Sequence, residues 1–265
     1  MKAFRCSSSI SNFRKKLLVR ILTEEWHWLK SRHKQTVFFG AYHVGDYVRI
    51  LWHRGERRIF WCGGDILNIQ KSIFWRFIIP KIPATHFCEN EVEAKALYEI
   101  GIRASISPMI FDAFNDKIGF KPSRNPHVYL CAQPQREKEY GVGLIEMIAC
   151  MFPEITFHIY GVGGVNQKNV IFHGKVPTEK FDKEIRQYQC GLRLNEFDGF
   201  SEVTAKSILL GQYPITKIKY PKIDHAKDNE SLIKLLRNLK NKKKPNKEAR
   251  IYWIKQLEKS LCELF

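Results

Sequence analysis

Between residues 36 and 110, and again between 127 and 218, short apolar runs alternate with segments of helical periodicity. TVFFGAY (36–42), RRIFWCGGDIL (57–67), ATHFCE (84–89) and IRASISPMI (102–110) read as buried strands, the second running into a Gly-Gly-Asp turn. GDYVRILWHRG (45–55), NIQKSIFWRFII (68–79, closed by Pro80) and the run opening NEVEAKALYEIG read as helices. Strands separated by helices of this length pair in parallel, because the chain must cross back before the next strand begins. The pattern then repeats. HVYLCAQ (127–133), ITFHIYGVGG (155–164), NVIFHGKVP, CGLRLNEFDGFSE and YPITKI read as strands and their turns. EYGVGLIEMIACMF, TEKFDKEIRQY (Thr178 its expected cap) and VTAKSILLG (ended by Gly211) read as helices.

The expected fold class is therefore α/β, with two Rossmann-like domains built on parallel sheets. Residues 111–127, with two prolines and little periodicity, read as the connection between them. The expected division is 1–122, an N-terminal domain with a leading basic helix, then 123–216, then a basic helical tail over 217–265. KNKKKPNK (240–247) reads as a solvated break between two tail helices.

At 44% hydrophobic and 13% aromatic residues the chain is globular in composition. It carries 44 Lys and Arg against 27 Asp and Glu, a net +17. Residues 1–34 hold 9 basic against 2 acidic residues, residues 216–265 hold 14 against 6, and the middle holds 21 against 19. So the excess sits at both ends, which favours a polyanionic surface, anionic lipid or nucleic acid, as partner. Residues 13–33 place Phe13, Leu17, Leu18, Ile21, Leu22, Trp26 and Leu29 at helical spacing with basic residues opposite. This fits either an interfacial membrane helix or a helix packed on its own domain. No apolar run is long enough to span a bilayer, and the first residues lack the apolar core of a secretory signal. The expected location is cytoplasmic. Cys6, Cys62, Cys88, Cys131, Cys150, Cys190 and Cys262 show no C-x2-C spacing, so no zinc site is expected, and they read as buried, reduced thiols.

In parallel α/β sheets ligands bind at the carboxyl ends of the strands. Three such loops in the second half carry suitable chemistry. Arg136 and Lys138, followed by Tyr140 and Gly141, precede a helix and fit a diphosphate, with the helix amides behind them. Gly161 and Gly163 lie in a Gly-rich turn that lacks both G-x-G-x-x-G and a Walker lysine, so a dinucleotide or P-loop site is not expected. Asn195, Glu196, Asp198, Gly199, Phe200, Ser201 and Glu202 open a helix that carries Lys206; carboxylates there suit sugar hydroxyls or plain capping. In the first half, Asp65 follows Gly63-Gly64 at a strand end, as a cleft residue or a helix cap. His43 and His86 also end strands.

The run VIFHGKVPTEKFDKEIRQYQCGLRLNEFDGFSEVTAKSILLGQYPI resembles the donor-domain signature of the group 1 GT-B glycosyltransferases: strand, Gly, Val-Pro, helix, strand, then E-G-F-G, a helix carrying a second Glu eight residues on, and Gly-x-Pro-Val/Ile. VYLCAQPQREKEYG and FHIYGVGG stand where that family has its basic phosphate loop and its Gly loop. The likeness covers about 126–216 well and 36–110 loosely, through FWCGGDIL and THFCENEVEAKALYEIGIRASISP.

The resemblance implies two domains facing across a cleft, with the C-terminal helix returning to the first. It implies transfer of a sugar from a nucleoside diphosphate sugar to an acceptor hydroxyl without a bound metal or other cofactor, retention being favoured over inversion. Arg136 and Lys138 would face the diphosphate, aided by amides near Gly199 to Ser201, and Asp198 would position the sugar. Asp65 would touch acceptor or sugar, as catalytic base in one reading. Two departures stand out. Asp198 replaces the first Glu, and Lys206 stands where the second Glu would hold the ribose. Glu202, one turn earlier on the same face, either takes that contact or pairs with Lys206. The favoured acceptor is a glycan or lipid-linked glycan at an anionic inner membrane face, with peripheral attachment. The rivals are sugar transfer to DNA and a non-catalytic binding module.

Overall fold

The computed structural model describes residues 3–10, 31–109 and 119–264. Most of the basic helix expected over 13–33, and the connection up to residue 118, lie outside them. By contacts the chain divides into two units, Met1–Asp112 with Phe197–Phe200 and Ile254–Phe265, and Ala113–Glu196 with Ser201–Trp253.

The first unit is a five-stranded parallel sheet in the order β1-β2-β3-β4-β5: Ala3–Cys6, Thr36–Phe39, Arg57–Phe60, Thr85–Cys88 and Ala104–Ile106. Helices α1 (Val44–Trp52), α2 (Gly64–Lys71), α3 (Ile73–Ile78) and α4 (Glu91–Tyr98) connect the strands. All four side chains of β2 are buried, as an interior parallel strand requires. Phe38, Ile59 and Cys88 of the strands share a core with Tyr47, Ile50, Ile66, Ile69, Trp75 and Leu97 of the helices. The expected single helix over 68–79 is two. It begins earlier, at Gly64, and breaks at Ser72, whose extended backbone ends α2 and whose hydroxyl caps α3 at Trp75 N. Strand β1 was not expected, since its four residues show no periodicity of their own.

The second unit is a six-stranded parallel sheet. Its order is β11-β10-β9-β6-β7-β8: Asp224–His225, Ile215–Thr216, Cys190–Arg193, His127–Cys131, Thr156–Tyr160 and Val170–Gly174. Its helices are α5 (Val142–Ile148), α6 (Thr178–Glu184), α7 (Glu202–Leu209), α8 (Asn229–Asn238) and α9 (Lys247–Leu264), the last ending in the first unit. Alternation along the strands splits the core in two. Val128, Leu130, Phe157, Ile159 and Leu192 pack with Ile145 of α5 and Leu232 of α8. Tyr129 and Tyr160 point the other way, onto Ile185, Tyr188 and Val203. Thr178 is not the cap of α6 but its first residue, and the cap position is Pro177. Cys6, Cys62, Cys88 and Cys190 are buried as expected, whereas Cys150 and Cys262 are exposed on outward helix faces.

Candidate functional site

The second sheet reverses its direction of growth beside β6. The chain builds β7 and β8 on one side, then returns to place β9, β10 and β11 on the other. The loops leaving β6 and β9 therefore part at a topological switch point, the place in such sheets where ligands bind. Three side chains meet there. The Arg193 guanidinium, at the end of β9, lies 4.5 Å from the Tyr140 ring centroid, and that of Arg136 lies 5.6 Å from it. Tyr140 is buried, so its ring is a fixed platform for two cations. Gly141 makes this approach possible: a Cβ there would come within 2.9 Å of Leu194, and its φ is +78°.

Arg136 also holds Glu139, through Nη2 at 2.5 Å and Nε at 2.9 Å, in an exposed pair. Lys138 is exposed and makes no ion pair among the described residues. Two of the amides at the start of α5 are spent within the turn. Gly141 N donates to Lys138 O and Val142 N to Glu137 O, both at 3.1 Å. Asn195, two residues beyond Arg193, is buried, and its Oδ1 accepts no hydrogen bond among the described residues. Glu196 is exposed. Gly161 donates its amide to Gly174 O at 2.8 Å, and Gly163 is exposed with open space about it.

Helix α7 starts on Ser201, whose hydroxyl accepts from Thr204 N at 3.1 Å. Glu202 forms the ion pair: Lys206 Nζ lies 3.1 Å from Glu202 and 2.5 Å from Asp182 of α6. Burial alone would lower the Lys206 pKa, but the two carboxylates outweigh it and hold the ammonium above its usual range.

Asp198, Gly199 and Phe200 group with the first unit. Glu89, at the end of β4, accepts the Phe200 amide at 2.8 Å, and Asn90 Nδ2 donates to Asp198 O at 2.8 Å. The Phe200 amide, expected to aid a diphosphate, is thus committed to a buried carboxylate that needs a donor. A Cβ on Gly199 would sit 2.2 Å from Glu89 Oε2, and one on Gly63 would sit 2.8 Å from Gly199 N. Glu93 of α4 accepts from Glu89 N at 2.6 Å through Oε2, while its Oε1 has no hydrogen-bond partner among the described residues. Burial, then the nearby Glu89, raise the Glu93 carboxyl well above the usual range, and Asp65 and Asp198 add to this.

Asp65 is fully buried and accepts from Ala41 N at 3.1 Å, Cys62 N at 3.0 Å and Ile66 N at 3.0 Å. Of the two readings of Asp65, this geometry is that of the helix cap. The carboxylate staples three backbone amides at the start of α2, and burial pushes it up to about 6. His86 is also structural, accepting from Trp61 Nε1 at 3.2 Å, and His43 sits at the start of α1 against Ser9.

Arg193, Glu89 and Glu93 were not anticipated. Arg193 had a signal, a cation in an expected strand just before its turn. Glu89 ended an expected strand and Glu93 lay in the expected helix after it, and only the fold brings Phe200 to Glu89.

No family profile matches the sequence, and no curated protein matches it. Solved structures do match. A variant of TarM from S. aureus, bound to fondaparinux, alpha-GlcNAc-glycerol and UDP, aligns with a TM-score of 0.59 at 13% identity, over 88% of this chain and 56% of TarM. The lipopolysaccharide outer core galactosyltransferase WaaB aligns at 0.64 and 11% identity over 100% of both chains. Sucrose-phosphate synthase from Thermosynechococcus elongatus aligns at 0.61 and 9% identity, over 86% of this chain and 71% of the synthase. The chain thus spans a little over half the length of TarM and the whole of WaaB. With its two parallel-sheet α/β units, the chain has the GT-B fold of these glycosyltransferases.

Proposed function

We propose that the chain is a glycosyltransferase that moves a sugar from a nucleoside diphosphate sugar to an acceptor hydroxyl. The observation that carries this reading is the convergence of Arg136 and Arg193 on Tyr140 at the switch point of the second sheet. As the glycosidic bond to the donor breaks, negative charge builds on the leaving diphosphate. Guanidinium forks already in place stabilise that charge with little reorganisation. The pair between Arg136 and Glu139 is exposed and worth no more than ~1 kcal/mol, so a diphosphate displaces it readily. Lys138 adds a second mobile cation. The Asn195 carbonyl is positioned to accept from a hydroxyl or N–H of the donor.

Asp198 positions the donor sugar in this reading. Because Lys206 is bound by Asp182 and Glu202, the ribose hydroxyls meet the outer oxygens of this ion pair instead of a lone Glu. Retention of anomeric configuration and independence from metal follow from the family resemblance. The acceptor is a glycan or lipid-linked glycan on an anionic membrane face, with the protein peripheral on the cytoplasmic side. The two basic ends of the sequence support that placement.

The test is release of nucleoside diphosphate from a panel of uridine, guanosine, adenosine and thymidine diphosphate sugars, with and without glycolipid acceptors. One donor should turn over, and Arg193→Ala should lower kcat/KM about 10²-fold. No turnover and no binding with any donor would leave a non-catalytic module.

A further inference from the structure

Helix α3 is exposed on the face where its composition calls for burial. Ile73, Phe74 and Phe77 are 82%, 61% and 68% exposed, and Trp75 alone is buried in the core. They stand at i, i+1 and i+4, on one side of the helix. Beneath these side chains the buried Trp75 stacks on Tyr47 of α1 at 4.9 Å, which fixes α3 to the core. Three large apolar side chains exposed together on one short helix mark an interaction site.

The charge around the patch identifies the partner. From Ile66 to Cys88 the chain contains no Asp or Glu, while Lys71, Arg76 and Lys81 are all exposed. Lys81 lies over the Phe77 ring at 5.3 Å, so the cation caps the apolar surface. Apolar tips flanked by cations of one sign match an anionic leaflet, whose acyl boundary takes the rings and whose phosphates take the charges. The helix backbone is fit for that medium: Ser72 caps its start, and Pro80, just beyond its end, has no N–H to leave unpaired.

We infer that α3 is a membrane-docking wedge, with Ile73, Phe74 and Phe77 inserting into an anionic phospholipid leaflet and Lys71, Arg76 and Lys81 engaging its phosphates. The wedge deepens the membrane-side reading above, and its test needs neither donor nor acceptor. The full chain is sedimented with vesicles of phosphatidylcholine containing phosphatidylglycerol, and with vesicles of phosphatidylcholine alone. The wild type should partition onto the mixed vesicles. The pair Phe74→Ser and Phe77→Ser should lower that partitioning about tenfold or more at unchanged melting temperature, while Phe74→Leu with Phe77→Leu retains it. Lys71→Gln, Arg76→Gln and Lys81→Gln together should lower the preference for phosphatidylglycerol, and an unchanged preference would overturn the assigned phosphate contacts.

Equal partitioning of the wild type and the Ser pair would overturn the wedge, because the basic ends alone would then account for adsorption. So would absence of vesicle binding, including the case where the Ser pair instead abolishes self-association of the wild type. Vesicle binding without turnover of any donor would sink the proposed reaction and leave the wedge standing. Turnover that survives in the Ser pair, with vesicle binding lost, separates the two in the other direction.

Discussion

Glu89 accepts a hydrogen bond from the backbone amide of Phe200 at 2.8 Å, joining residues 111 apart in sequence. Both residues are buried, so the bond is made where an unpaired carboxylate or amide would be costly. With Asn90 on the Asp198 carbonyl, it fixes the segment that carries the first carboxylate of the family-like signature. The backbone holds Asp198 in place, and its side chain remains half-buried.

Gly199 has no room for a side chain, and the obstacle is Glu89 itself. Gly199→Ala should destabilise the protein by ~1–3 kcal/mol. In a Glu89→Ala background the same change should cost at least ~1 kcal/mol less, because the clashing oxygen is gone. Urea denaturation of the four proteins of this cycle measures the coupling, and strictly additive costs would contradict the assigned contact.

Glu93 sets a pH dependence whose sign can be worked out. Its folded pKa is raised, so above the unfolded value near 4.5 the folded state binds the extra proton. Its contribution is fully present below that value and is lost as pH rises toward the folded pKa. Glu93→Gln mimics the protonated form and can still accept from Glu89 N. The melting temperature of the variant should gain on wild type between pH 4.5 and 7.5, and a constant difference over that range would be the wrong result.

The histidines of the second sheet act in the opposite sense. His158 lies between His127 (2.8 Å) and His173 (2.9 Å), stacked on both and on Tyr188. Burial, then its two neighbours, hold its pKa down to about 3. A depressed base stabilises the fold above the unfolded value of 6.5 and loses that contribution as pH falls toward 3. Nitrogen-15 NMR at pH 5 should find His158 neutral, whereas an imidazolium signal for it would refute the assignment.

Lys206 sits where the resembled family has an acid, and here it neutralises two. Restoring the family residue with Lys206→Glu would place three carboxylates together. The expected cost is ~2–4 kcal/mol, at the low side for a buried pair because Asp182 and Glu202 are each more than a third exposed. Asp182→Asn should recover part of it. Chemical denaturation decides the matter, and a Glu variant as stable as wild type would mean the ion pair contributes nothing.

The repeated alternation of strand and helix was legible because parallel strands buried on both faces leave short, uniform apolar runs. Short edge strands were not. Ala3–Cys6 and Asp224–His225 gain strand geometry from a neighbour, and neither has a pattern of its own. The Arg136 loop was legible from its place after a strand, and Arg193 was open to the same argument. The roles of Glu89 and Asp65 were not, since a carboxylate that caps a turn from solvent and one that staples buried amides are spelled alike. Local spacing offered Glu202 as a partner for Lys206 but could not reveal Asp182, 24 residues away, which the fold brings to the same ammonium.

Calorimetric titration of nucleoside diphosphates into the wild type and into Arg136→Ala with Arg193→Ala tests the donor site most directly. The account predicts that one nucleoside diphosphate binds the wild type and that the double variant loses ~10-fold to 100-fold or more in affinity at unchanged melting temperature. Equal affinity in both proteins, or no nucleoside diphosphate bound by the wild type, would contradict it.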